Sequence, residues 1–172
     1  MSINQDEVAV SIPTPFDNDI VKMGEELNGT YVAYGSSGAA GAERQAAQDA
    51  NAASMSPSAP VERSVAKAQA AYTNSGWDLV DAVTSKDVKV GSLKEEELPA
   101  QMKKMSPAER EKYIHTLASK RADLQAKIND LNEKRRAFLA GETKKSAQAN
   151  TLDAAILGSV KAEAAKKGFA AE

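Results

Sequence analysis

Asp78 and Asp81 stand three residues apart, bracketing Leu79 and Val80, directly after the chain's single tryptophan, Trp77. Two carboxylates in an aromatic setting are the raw material of paired acid–base chemistry, with one carboxyl held protonated by apolar surroundings and the other ionised. The same residues also suit a packing anchor, with Trp77, Leu79 and Val80 buried and the two aspartates capping or solvated. Lone carboxylates are common, and no partner residues complete a catalytic set around these two, so the anchor is the reading carried forward. His115 is the only histidine. It falls on the outer face of a helix, and with no second histidine and no cysteine it lacks the partners that a metal site requires. The glycines of Gly35-Ser36-Ser37-Gly38-Ala39-Ala40-Gly41 suggest a phosphate loop, but the Lys-Ser/Thr ending and the G-x-G-x-x-G spacing are both missing, which leaves a flexible turn. The residues therefore assign no catalytic group, no cofactor and no metal ligand, and an enzyme is not expected.

The whole-chain properties narrow the class further. At 172 residues there is room for one domain or two small ones. A net charge of -2 gives no global attraction to nucleic acid or to an acidic membrane. Aromatic residues make up 5% and alanine is abundant, so the apolar surface available for a core is small for the chain length. The absence of cysteine excludes disulfides and thiolate sites. No apolar run reaches membrane-spanning length, and Met1 to Glu7 has neither the basic nor the apolar region of a signal peptide.

Helical punctuation organises the rest. Val8, Val10 and Ile12 alternate like a short strand. Thr14 and Pro15 then open a helix whose apolar stripe is Phe16, Ile20, Met23 and Leu27. Asn28-Gly29 ends it, Thr30 to Tyr34 is β-prone, and the glycine-serine turn follows. One strand and one amphipathic helix leave two apolar faces unpartnered, as the last piece of an α/β domain would. The alternative is that the two short strands pair and the helix packs on later helices. Residues 36–92 form an Ala-rich region, with a weakly anchored helix from Ala39 to Met55 and a second from Pro60 to Tyr72.

From Ser106 to Gly141 the pattern is one long helix of about 34 residues, roughly 50 Å. Ser106, Pro107 and Glu109 form a capping box, and Gly141 is the expected left-handed stop. Leu117, Leu124, Leu131 and Phe138 recur every seven residues. Ile114, Arg121, Ile128 and Arg135 recur every seven as well, giving a heptad seam with arginine at alternate positions. Ile114, Leu117, Leu124, Ile128, Leu131 and Phe138 are thus the candidate interaction seam. Asp123–Lys127 and Asp130–Lys134 neutralise the lysines within the helix, which argues against a nucleic-acid stripe. A last helix, capped by Thr151 and closed by Lys166-Lys167-Gly168, carries Leu152, Ile156, Val160 and Ala164 on one stripe. Folding it back on the long helix fills the seam better than a homodimer does, so an oligomer is possible but not favoured. The expected fold class is mainly α, an elongated arrangement in which a long coiled-coil-like helix forms a helical hairpin, preceded by a short strand–helix remnant of an α/β domain. The segments are residues 1–35, 36–92 and 93–172.

Several motifs, taken in order, carry a resemblance. Ile12-Pro13-Thr14-Pro15-Phe16-Asp17 comes first, then Leu27 to Gly35, the cluster from Trp77 to Ala82, Glu97-Leu98-Pro99, Ser106 to Arg110, and the ending Thr151 to Phe169. Together they are similar to the C-terminal region of bacterial proteins that carry a von Willebrand factor type A domain. The resemblance implies that the Ile-Pro-Thr-Pro segment follows the domain's final strand and that a helical extension comes after it. It implies a non-catalytic spacer or protein-interaction module, whose partner is another protein or the upstream domain, in a periplasmic or extracellular setting. The family's Asp-x-Ser-x-Ser metal loop does not occur here, so the resemblance places that site upstream of Met1. The rival expectation is a free-standing coiled-coil scaffold or oligomerisation protein.

Overall fold

The structure, a computed structural model, describes residues 12–166, with side chains described over 12–146. The chain is mainly α-helical, as its punctuation predicts. The described residues contain six α-helices: α1 (Asp17–Asn28), α2 (Gly38–Met55), α3 (Ala59–Lys67), α4 (Leu79–Thr84), α5 (Ala100–Lys103) and α6 (Pro107–Lys166). Single 3-10 turns at Val90–Ser92 and Glu95–Glu97 join α4 to α5. Of the alternating residues Val8, Val10 and Ile12, the first two lie outside the described residues. The β-prone stretch after α1 makes one isolated antiparallel bridge, Ala33 with Asp78.

Two units are distinguished by their internal packing, residues 1–134 and residues 135–172. The first unit has two apolar clusters. In one, Ile20 and Leu27 of α1, Val61 of α3 and Leu124 and Ile128 of α6 meet, with Phe16, Met23, Val65 and Leu131 around them. In the other, Val32, Leu79, Val80, Leu98, Met102 and Ile114 meet, bordered by Tyr34, Val83, Val88, Tyr113 and Leu117. Residues from all three sequence segments share these cores. Helix α3 packs against both α1 and α2.

Close approaches explain two glycines. A methyl group on Gly24 would fall 2.1 Å from Ser64 Oγ, so α1 meets α3 backbone to side chain with no room for a Cβ. One on Gly41 would fall 2.3 Å from Trp77 Cγ, so the indole lies directly on the backbone of α2. The turn at Gly35 has φ +64°, a conformation open to glycine at no steric cost.

The start of α6 is as the sequence requires. Ser106 N and Oγ both donate to Glu109 Oε2, at 2.8 and 2.7 Å, and Glu109 N donates to Ser106 Oγ at 3.4 Å. Its end corrects an expectation. Gly141 does not stop the helix, and no turn precedes a return helix at Thr151, because the chain stays helical to Lys166. The hairpin is therefore not formed. A left-handed stop needs a positive φ, and among the described residues only Gly35 and Lys86 have one. Around Gly141, Ala140, Glu142, Lys144 and Lys145 are strong helix formers, and they absorb the cost of one interior glycine, about 1 kcal/mol. Local bonds add support in the second unit, where Lys145 Nζ meets Glu142 Oε1 at 2.7 Å and Thr143 Oγ1 donates to Leu139 O at 2.9 Å.

Candidate functional site

The bridge between residues 33 and 78 positions a buried polar centre between the two apolar clusters. Leu79 N donates to Val32 O at 2.8 Å, and Tyr34 N to Trp77 O at 3.0 Å, so the segment after α1 is laced to the start of α4. Asp78 is the N-cap of α4. Its Oδ2 accepts from Asp81 N at 3.0 Å, and its Oδ1 accepts from Val32 N at 2.6 Å. Helix α6 supplies the cation. Arg121 Nη1 donates to Asp78 Oδ2 at 2.6 Å and also to Asp81 Oδ1. Its Nε reaches Thr30 Oγ1 at 2.9 Å, and its Nη2 reaches Thr30 O at 2.7 Å. The guanidinium also lies over the ring of Tyr31, 4.4 Å from its centre, and Tyr31 is 5.5 Å from Trp77, ring to ring.

Burial governs the electrostatics of this centre. It pushes the Tyr31 hydroxyl well above its ordinary value, against the opposing charge of Arg121. It also raises Asp81, where Arg121 acts the other way and the Asp78 charge adds to the rise. Arg121 itself is held more firmly protonated: burial opposes its charge, but the bond to Asp78 and the charges of both aspartates outweigh it. Asp81 Oδ2 accepts from Asn74 N at 2.7 Å. All four oxygens of the two aspartates are thus engaged with the chain, which makes the pair an internal clasp. The expected capping role of Asp78 is seen, while a solvated Asp78 is not, since it is fully buried.

A second polar cluster ties α1, α2 and α3 together. Lys67, almost fully buried, donates to Asn28 Oδ1 and Asp49 Oδ2, both at 2.8 Å. Arg63 Nε meets Asp49 Oδ1 at 2.8 Å. Tyr72 donates to Gln45 Oε1 at 2.7 Å. Burial presses Lys67 below its ordinary value more than Asp49 restores it. Asp49 is more exposed, and although burial opposes its charge, the bonds from Lys67 and Arg63 hold it below its own.

A groove of about 660 Å³ lies between the α4–loop segment and α6. Val83, Val88 and Val90 face Ile114 and Ala118 across it. Lys86 and Lys89 line it on the loop side, Glu111 and His115 on the helix side. A smaller cleft of about 250 Å³ lies over Tyr31, Gln45 and Trp77. Among the described residues, no group of three or more His, Cys, Asp or Glu is arranged to hold a metal ion.

Of the three anchor residues expected to be buried, Leu79 and Val80 are, while Trp77 is only half-buried, its indole lying against α2. Five of the six seam residues, Ile114, Leu117, Leu124, Ile128 and Leu131, belong to the two cores. Their covering is intramolecular, as expected, but it comes from α1, α3, α4 and the loops before α5, not from a return helix. Phe138 belongs to the second unit and is half-buried. Arg121, which the sequence places at a seam position, is the residue whose role sequence reasoning missed. A cation set in an apolar stripe, and two acids elsewhere with no cation nearby, were the available signals.

Comparison with protein-family models, with curated proteins and with solved structures finds no match for this chain. No helix among the described residues is long and apolar enough to cross a membrane.

Proposed function

We propose that the chain is a non-catalytic helical extension of a protein carrying a von Willebrand factor type A domain, serving as a spacer or protein-interaction module. The observation that supports this over a coiled-coil scaffold is the use of the α6 seam. From Ile114 to Leu131 its apolar residues are spent on the chain's own core, so no free heptad face is left there for a second copy. The engagement of all four oxygens of Asp78 and Asp81 supports a structural rather than a catalytic role for the acid pair. The coding DNA upstream of the Met1 codon tests the family reading. An in-frame Asp-x-Ser-x-Ser loop followed by strand-coding sequence is expected, and a stop codon immediately upstream would overturn it.

A second reading, oligomerisation through residues 135–166, is favoured by one observation, the continuation of α6 through Gly141 to Lys166. Sedimentation velocity over a range of concentrations separates the two. A concentration-independent monomer supports the module, and a dimer or higher species supports the scaffold.

A further inference from the structure

We propose that the groove between α4 and α6 is a docking site for an acidic, apolar peptide segment, whose carboxylates meet Lys86 and Lys89. This rests on the reading of the chain as an interaction module and names the chemistry of its partner.

Three observations carry it. The groove is apolar along its length, through Val83, Val88, Ile114 and Ala118, and has the volume of a ligand site. Its charged residues are solvent-exposed, so it is an open trough. A small molecule there would keep much of its surface in water, whereas a peptide can lay a few side chains into a trough and leave the rest solvated.

The charge balance then selects the peptide. Lys86 and Lys89 stand against the single carboxylate of Glu111 in the lining. Neither lysine has an ion-pair partner among the described residues, so both charges are available to an occupant. Asp87, which accepts from Ser85 Oγ at 3.0 Å, is not among the residues that line the groove. An acidic occupant is favoured at this lip and a basic one disfavoured.

The third observation is backbone strain at the same lip. Helix α4 closes with a full Schellman pair: Lys86 N donates to Val83 O at 3.1 Å and Asp87 N to Ala82 O at 2.9 Å. The residue at the left-handed position of that motif is Lys86, at φ 65°, where glycine is the unstrained choice. A lysine in this conformation, at a cost to folding and beside an apolar groove, is consistent with a use outside the fold.

The Lys86→Gly substitution separates this use from a structural one. The full chain is probed with immobilised peptides of about twelve residues that carry leucine at helical or alternate spacing, with glutamate, lysine or serine between. The glutamate–leucine peptides are expected to bind, more weakly at high salt, while the lysine–leucine and glutamate–serine peptides do not. Lys86→Gly is expected to raise Tm by about 2–4 °C and to weaken glutamate–leucine binding about threefold to fivefold. Equal binding of leucine peptides whatever their charge would overturn the acidic partner and leave the interaction-module reading standing. Binding of none, or unchanged affinity in the stabilised variant, would overturn docking at this groove.

Discussion

Arg121 Nη1 stands 2.6 Å from Asp78 Oδ2, across 43 residues of sequence, in a place where the aspartate has no exposed surface and the arginine side chain has 6%. A buried pair of this kind returns little net stability compared with apolar packing, but it tolerates only one arrangement of its elements. Here it fixes the register of α6 against the start of α4 and the segment after α1.

The first prediction follows from that pairing. Arg121→Met leaves Asp78 charged, buried and without its cation, and is expected to cost about 3–5 kcal/mol in urea unfolding. Adding Asp78→Asn is expected to recover part of the loss, because the amide oxygen can still accept from the backbone. A single-variant cost below about 1 kcal/mol would mean that the clasp does not hold the fold.

A second prediction concerns Gly41. With the Trp77 ring on its backbone, Gly41→Ala is expected to destabilise by about 1–3 kcal/mol through overpacking. Trp77 is the only tryptophan, so the emission spectrum reports its displacement directly, and the emission maximum is expected to move to the red as the ring leaves α2. An unchanged spectrum with unchanged stability would contradict the contact.

Acid behaviour gives the third. The folded-state value of Asp49 lies below the ordinary 3.8, so its contribution is present above that value and is lost as pH falls through the folded one. Asp81 has the opposite sign. Its folded value lies above 3.8, so its ionisation costs stability as pH climbs through that window, and protonation on acidification gives it back. Urea midpoints measured from about pH 5 to about pH 3 should therefore fall less steeply for Asp49→Asn than for the parent, and more steeply for Asp81→Asn. Parallel curves for all three proteins would refute the assignment.

The fourth tests the course of α6. In a continuous helix, Gly141→Ala is expected to increase helical circular dichroism and to favour the helix by about 1 kcal/mol. If Gly141 instead closed a hairpin in the left-handed conformation, the same change would destabilise and reduce helicity. The direction of the change decides between them.

Much of the helical layout was legible because it depends on neighbours in sequence. Ser106 and Glu109 are three residues apart, and their capping box forms as written. The stripe of Phe16, Ile20, Met23 and Leu27 meets a core, and Leu79 and Val80 are buried. What the sequence did not disclose lies in pairings at long range. The seam from Ile114 to Leu131 announced that something covers it, but nothing local distinguished a return helix from α1, α3 and α4. Arg121 read only as an arginine set in a heptad seam, because its acids lie 40 and 43 residues away. Gly141 was misread because a stop signal acts only when the flanking residues do not outvote it, and here alanine, glutamate and lysine do. The groove was invisible for a similar reason: its two sides come from separate stretches, and His115, exposed on the outer face of α6 as expected, lines it together with Lys86 and Val88.

The reach of Arg121 also orders events in time. Its contacts with Thr30 span 91 residues, and the cluster around Ile20 and Leu27 is completed only by Leu124 and Ile128. A chain being synthesised therefore carries α1 and α3 with uncovered apolar faces until α6 has emerged well past its midpoint in the first unit. Closure is a late step that depends on non-local contacts. The interval before it is when this protein is most exposed to aggregation, and most open to assistance from whatever binds unpacked helices.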